Sequence, residues 1–405
     1  VRGSRHAATD RARVRVRARV LEAFVVAAAA AAGIVVGGTL VAFAVARKAV
    51  TPATRRIADT EVLAIDRSAQ TITLRRTLDT VLPGRYGLFV NGAREYLKLG
   101  AVLSSSGDAV TRKLLTHVGP AERIGRAASF SGWYFSHADE LHLPYQEVAV
   151  PSPVGPCPAW LFPAGRGSAE TWAIAVHGRG TTRSEVLRAV PVFRAAGLTT
   201  LAVSYRNDGQ APRSDSGRYG LGATEWRDVE AAIAYARAHG ARRIVLMGWS
   251  MGGAIVLQTI LRTEHADAVA GLILDSPVVD WRLVLGFQAR ELRVPSPVTH
   301  IALRQLTMPS WSRVVRSGDA ISLDDLDIVS HADELAHPIL LLHSDDDGFV
   351  PSEASHGLAE ARPDLVELVS YSEARHTKLW NYDEERWEGS IRSWLGERGL
   401  AAPVV

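Results

Sequence analysis

The hydrophobic pattern divides the chain into three parts. From Ala23 to Ala46 there is no charged residue. Twenty-four helical residues span about 36 Å, enough to cross a hydrocarbon core of ~30 Å. From Glu61 to about Leu143 short alternating stretches take over, punctuated by Pro83-Gly84, Asn91-Gly92 and Ser104–Asp108. Glu61–Asp66 and Thr71–Arg76 flank a polar turn and predict a hairpin. Beyond Tyr145 the apolar runs are short and continuous: Thr171–Val176, Thr199–Ser204, Arg243–Met247, Gly271–Asp275, Ile339–His343 and Leu365–Ser370. Such runs predict strands buried on both faces. Patterns of helical period fall between most of them, at Ser184–Ala196, Thr224–His239, Met251–Thr263 and Ser352–Ala361. Strand alternating with helix argues for a mainly parallel sheet covered on both sides. Tyr145–Val150 and Pro158–Phe162, joined by a turn over Pro151–Cys157, predict an antiparallel hairpin ahead of it.

These patterns set the expected domains. Residues 1–22 are a basic cytoplasmic N-terminus and 23–46 a transmembrane anchor. Residues 47–143 form a linker and a β-rich accessory module. Residues 144–405 form the catalytic α/β domain, with a candidate lid at 281–330 where the strand–helix alternation is interrupted. A cleaved signal ending at Ala44-Val45-Ala46 and a buried helix of a soluble protein are the alternatives to the anchor. Gly33 and Gly37 make a GxxxG, a helix-packing pattern that also arises by chance in so Ala- and Gly-rich a run.

Charge sharpens this picture. Residues 1–56 carry ten Arg and one Lys against Asp10 and Glu22, a net of +9. The whole chain is +3, so the remainder is −6. A mildly acidic globular part argues against a nucleic-acid partner. The arginines ahead of the apolar run orient the N-terminus inward and the catalytic domain outside the cytoplasm. Cys157 is the only cysteine, which excludes an intrachain disulfide and a thiolate metal cluster. No spacing such as H-E-x-x-H marks a metal site.

The chemistry centres on Arg243–Gly253, which reads R-I-V-L-M-G-W-S-M-G-G. A strand, the turn G-x-S-x-G and a helix are the context of a nucleophile elbow. Glycines at 248 and 252 permit neighbouring turns to pass close to Ser250, and the helix from Met251 aims its positive end at a developing oxyanion. A serine hydroxyl needs a base, and the base a carboxylate. His343-Ser344-Asp345-Asp346-Asp347 ends one strand, and Arg375-His376-Thr377 follows the last. Both stretches fall at strand C-termini, where ligands of open α/β sheets collect. The loop His177-Gly178-Arg179-Gly180, after an early strand, offers the Arg179 N–H as a second oxyanion donor beside that of Met251. His177, Gly178 and Arg206 are the positions set toward the substrate, with loop bracing as the alternative for His177 and Arg206.

H-G-R-G at 177–180, S-Y-R-N-D at 204–208, G-W-S-M-G-G at 248–253, L-D-S-P-V-V-D-W at 274–281, H-S-D-D-D-G-F-V-P at 343–351 and R-H-T at 375–377 together resemble the α/β-hydrolase superfamily. Within it the chain resembles a group of bacterial, largely actinobacterial, N-terminally anchored hydrolases of unassigned substrate. The resemblance implies Ser250 as nucleophile, His376 as base and Asp347 as its partner, with no metal or organic cofactor. Asp345 and Asp346 are the alternative acids, and Asp275 a further one. Ser344 stands where glycine is usual in the acidic turn. The expected function is acyl hydrolysis, of a carboxylic ester or lipid-like substrate. Peptidase, thioesterase and acyltransferase chemistry use the same parts, and a non-catalytic binding protein of this fold is the rival from another class.

Overall fold

The computed structural model describes residues 37–53, 55–165, 170–311 and 320–402. Six strands form a closed antiparallel barrel: β1 (Thr60–Asp66), β2 (Thr71–Arg75), β3 (Tyr86–Val90), β4 (Glu95–Ser106), β5 (Ala109–Leu114) and β6 (Ala127–Ser131), in the order β1-β2-β5-β4-β3-β6. Closure by β6 against β1 removes the free edges that an open small sheet would expose. Alternating residues such as Ile72, Leu74, Leu97 and Leu99 fill the interior. Arg112 is also fully buried there. Its guanidinium donates five hydrogen bonds, of 2.7–3.0 Å, to the carbonyls of Thr80, Leu82, Gly84 and Gly100. Burial lowers its pKa to about 10, so it stays charged at neutral pH. Those bonds pin the β2–β3 loop, which is the loop that meets the second domain.

The second domain is an eight-stranded sheet of order β14-β13-β12-β11-β9-β10-β8-β7. Its strands are β7 (Gln146–Ser152), β8 (Gly155–Phe162), β9 (Thr171–Val176), β10 (Thr199–Val203), β11 (Arg243–Trp249), β12 (Val269–Asp275), β13 (Ile339–Ser344) and β14 (Val366–Tyr371). β7, β8 and β10 pair antiparallel, and β10 onward is parallel. Successive side chains serve two layers. Ile244 and Leu246 pack into one core, while Val245, Met247 and Trp249 pack into the other. This sheet is the expected α/β-hydrolase arrangement, and the strand pairing runs two to three residues past several predicted ends. The β7–β8 turn shortens to Pro153-Val154, because pairing continues through Ser152 and Gly155. The pattern at Ser184–Ala196 becomes a 3-10 turn, Glu185–Ala189, and a short helix, Val190–Ala195, with Pro191 in its first turn.

The largest departure concerns the anchor. Residues 37–50 form a helix. Ala42, Ala46 and Val50 on it are buried in the same core as Ile244 and Leu246. Spaced four apart, they form one face, and their small side chains let the helix lie close to the hydrolase. Tyr219 N–H donates to Val50 O at 2.9 Å. One face of residues 37–46 of the expected span therefore packs on protein, and 47–50 belong to this helix rather than to a linker. Among the described residues no helix is long and apolar enough to cross a membrane. The rest of the expected anchor, Gly33 of the GxxxG included, lies outside the described residues.

Candidate active site

Ser250 sits between β11 and the helix Met251–Ile260 with φ 51° and ψ −117°. A non-glycine residue there is strained, and the surrounding bonds hold it. Ser250 N–H donates to Asp275 O at 3.0 Å, and Val278 N–H donates to Ser250 O at 3.0 Å. The elbow fits only because of its glycines. A Cβ at 252 would lie 2.2 Å from Val176 O, and one at 248 would lie 2.4 Å from Gly252 O.

The His376 ring lies between serine and acid. Its Nε2 is 3.0 Å from Ser250 Oγ, and its Nδ1 is 2.7 Å from Asp347 Oδ2. With Nδ1–H donating to the carboxylate, Nε2 is free to accept the serine proton. Asp347 is buried, and both oxygens are occupied. Phe349 and Val350 N–H donate to Oδ1 at 2.8 and 2.9 Å, and His343 Nε2 approaches Oδ2 at 3.3 Å. Burial pushes this carboxyl up, but the His376 charge and the bonds from both histidines outweigh it and hold Asp347 well below the ordinary carboxylate range. It is a fixed anion at any neutral pH.

The other acids are engaged elsewhere. Asp345 accepts from His356 Nε2 at 2.8 Å, and Asp346 accepts from Ser344 Oγ and Arg375 N–H. Asp275 accepts from Trp387 Nε1 and Ser276 Oγ, and burial raises its pKa. The structure thus brings Ser250, His376 and Asp347 together and no alternative acid. Ser344 accepts a hydrogen bond from Ala374 N–H at 2.9 Å. Its hydroxyl ties the acidic turn to the histidine loop, which a glycine would not do.

Met251 and Arg179 flank Ser250, and among the described residues neither N–H is bonded to a protein acceptor. Gly178 N–H, by contrast, donates to Glu185 Oε2 at 2.7 Å. Two of the three positions set toward the substrate, His177 and Arg206, need correction. His177 is fully buried, bonded to Asp208 and Gly178 O. Gly178 faces the Ser250 Cβ at close range, with its N–H occupied. Arg206 is buried in a two-pronged pair with Asp228 at 2.7 and 2.8 Å. His177 and Arg206 brace loops behind the site through Asp208 and Asp228, while Gly178 lies against Ser250.

Two cavities open at this array. One, of about 340 Å³, reaches Ser250 between the helices Trp281–Glu291 and Ser296–Thr307 and the helix 37–50. Val45, Ala46, Ala49, Leu285, Leu292 and Leu303 make it apolar. Part of the candidate lid is thus a wall, and so is the segment expected to be an anchor. The Arg179 side chain holds that segment in place. Its guanidinium donates to Lys48 O, Ala49 O and Thr51 O at 2.7–3.1 Å, capping the helix C-terminus. The sequence placed Arg179 in the loop but gave no sign of this clasp. The second cavity, of about 290 Å³, reaches His376 from the barrel side. Gly348 and Phe349 line both. No cluster of His, Cys, Asp and Glu among the described residues could hold a metal ion.

A nucleophile elbow, an imidazole and a buried carboxylate on one rim of such a sheet define a protein of the hydrolase class. The profile of the alpha/beta hydrolase family matches residues 173–389, more than half of the chain. The protein belongs to that family. Residues 61–131, the barrel, match a domain of unknown function, DUF8805. In shape the chain is similar to the Pyrococcus furiosus esterase Pf2001, seen in two crystal forms. Each has 17% identity and a TM-score of 0.50 over 64% of this chain, and 94% or 95% of that chain is covered.

Proposed function

We propose that the protein hydrolyses carboxylic esters whose acyl chain occupies the apolar cavity at Ser250. The observation that carries this is the Ser250–His376–Asp347 array, whose Ser250 lines that cavity. Ser250 Oγ attacks the acyl carbonyl while His376 Nε2 takes its proton. Asp347 stabilises the imidazolium. The Met251 and Arg179 N–H groups receive the oxyanion. His376 returns the proton to the departing alcohol, and water then releases the acid by the same steps in reverse.

The apolar walls favour a medium-length aliphatic chain. Each buried methylene adds about 0.8 kcal/mol, so kcat/KM rises up to about fourfold per methylene until the cavity is full. The test is kcat/KM for p-nitrophenyl esters from acetate to dodecanoate. A rise to a maximum and a fall beyond it supports the reading. A folded protein that turns over none of them, or a Ser250→Ala variant that still does, contradicts it.

A membrane location with the N-terminus cytoplasmic also stays a proposal. It rests on the arginine asymmetry and on residues before 37, since Ala42 and Ala46 pack into the hydrolase core. Alkaline extraction of native membranes tests it: retention in the pellet supports it, and full release contradicts it.

A further inference from the structure

The second cavity lies on the seam between barrel and sheet. The barrel side supplies Asp79, Phe130 and Trp133, and the hydrolase side supplies Phe349, His376 and Lys378. The seam is fixed rather than loose. Asn381 Nδ2 donates to Arg85 O at 2.7 Å, and Arg85 pairs with Glu384. Gly84, at φ +93°, lies so close that a Cβ there would fall 1.8 Å from Asn381 O. Arg188 Nη1 and Ser276 Oγ hold the two ends of the Thr377 peptide, directly after His376.

The two cavities divide the catalytic atoms between them. Ser250 lines the apolar one and His376 lines this one. The group that His376 protonates is the leaving alcohol, so the seam is where that alcohol sits. Its chemistry is the opposite of the acyl side. Arg56, Arg375 and Lys378 line it with Asp79 and Glu185. Both carboxylates are already engaged. Asp79 pairs with Lys378 at 3.1 Å and Arg375 at 3.6 Å, and Glu185 accepts from Gly178 N–H and Thr181 Oγ. Arg56 has no such partner: among the described residues no carboxylate lies within ion-pair distance of it. Its guanidinium rests instead on two rings, 3.8 Å from the Phe89 centroid and 4.2 Å from that of Trp133. Trp133 Nε1 is a buried donor without an acceptor, and the ion pair between Arg375 Nε and Asp79 Oδ1 is too long to be a hydrogen bond for either atom. The seam carries three cations, Arg56, Arg375 and Lys378, against the two carboxylates Asp79 and Glu185.

We infer that this seam is a leaving-group subsite built by the barrel for an alcohol that carries an anion, a carboxylate, sulfate or phosphate, with Arg56 meeting the anion. The inference deepens the ester-hydrolysis reading and rests on it. The acyl C–O bond breaks, the His376 proton passes to the departing oxygen, and the product is the neutral hydroxyl of an anionic alcohol. The charge sits away from the reacting atoms, so it acts through binding and orientation.

The test compares two butyrate esters, of meta-hydroxybenzoate and of uncharged meta-hydroxybenzamide, each rate divided by its hydroxide-catalysed rate. The wild type should favour the anionic ester by about tenfold in kcat/KM, the size of one charge-assisted hydrogen bond. Arg56→Met, which keeps an apolar stem between the rings, should bring that ratio close to one. Asp79→Asn, which removes the competing carboxylate, should raise it. Inorganic phosphate should inhibit the wild type competitively against the anionic ester, a readout that needs no variant to fold. A wild-type ratio near one, an Arg56→Met ratio like that of the wild type in a folded variant, or no inhibition by phosphate overturns the inference. Failure to turn over either ester overturns the hydrolase reading instead, so the two failures are distinct.

Discussion

The two cavities at the active site share Gly348 and Phe349 and differ in almost everything else. The acyl side is walled by helices, including 37–50 from far upstream, and offers a substrate little besides carbon. The seam side is walled by a barrel and offers cations and unsatisfied donors. One catalytic array serves both. The comparison teaches that the sheet carries the array, whereas segments outside it wall the two cavities; on the proposed function the walls set the selectivity, one for each half of an ester.

Changes to the array should therefore affect every ester alike, and changes to a wall only one axis of selectivity. The largest expected effect is Asp347→Asn, with kcat down by about 10⁴ for short, long, neutral and anionic esters equally, because the wrong imidazole tautomer is then favoured. Steady-state kinetics over the four ester types checks this. A loss confined to one type would break the division between array and walls.

Next in size is Val45→Trp, which fills the acyl cavity from the helix 37–50. The octanoate-to-acetate ratio of kcat/KM should fall by about tenfold or more, as the outer methylenes lose their place. An unchanged ratio would mean that this helix is not a wall in solution. Arg179→Ala comes third. It removes three hydrogen bonds to the carbonyls at the end of that helix and should cost about 1–3 kcal/mol. The backbone N–H stays in Arg179→Ala, but the loop that carries it is loosened, so on the proposed mechanism kcat should fall more than KM changes. Equal shifts in both, tracked by chain-length profiles, would mark a purely structural clasp.

The smallest effect concerns acid stability. Asp347 is held below the ordinary carboxylate range in the fold, so the unfolded chain binds the proton first as pH falls. Its contribution is complete above the unfolded value of about 3.9 and is lost below it, toward the folded value. Denaturant melts of wild type and Asp347→Asn should thus differ most above about pH 5, and the gap should shrink progressively below about pH 4 as the pH falls toward the folded value. A gap that widens on acidification would contradict the sign.

The sheet and the array were legible in the sequence for one physical reason. Each of their signals is local: a continuous apolar run, a glycine that admits a close approach, a polar group just past a strand end. Asp347 is singled out from its neighbours Asp345 and Asp346 only by the family resemblance, whereas Ser250 and His376 announce themselves in this way. The walls do not. Ala42, Ala46 and Val50 present a small apolar face, and a sequence does not say whether lipid or protein meets that face. The arginine-rich flank tilted the reading toward lipid, and the exposed Leu40 and Val41 on the other side of the helix agree with either. His177 and Arg206 were misplaced for a related reason. Asp208, 31 residues from His177, and Asp228, 22 from Arg206, satisfy them internally. Arg56 reads as one more basic residue near the N-terminus until Phe89 and Trp133 close around it.

The most direct test is labelling of the folded protein with a fluorophosphonate, followed by mapping of the modified peptide. An activated serine should take one label per chain, on Ser250, with none in Ser250→Ala and much slower reaction in His376→Ala. A folded protein that stays unlabelled, or that takes the label on another residue, would contradict the account.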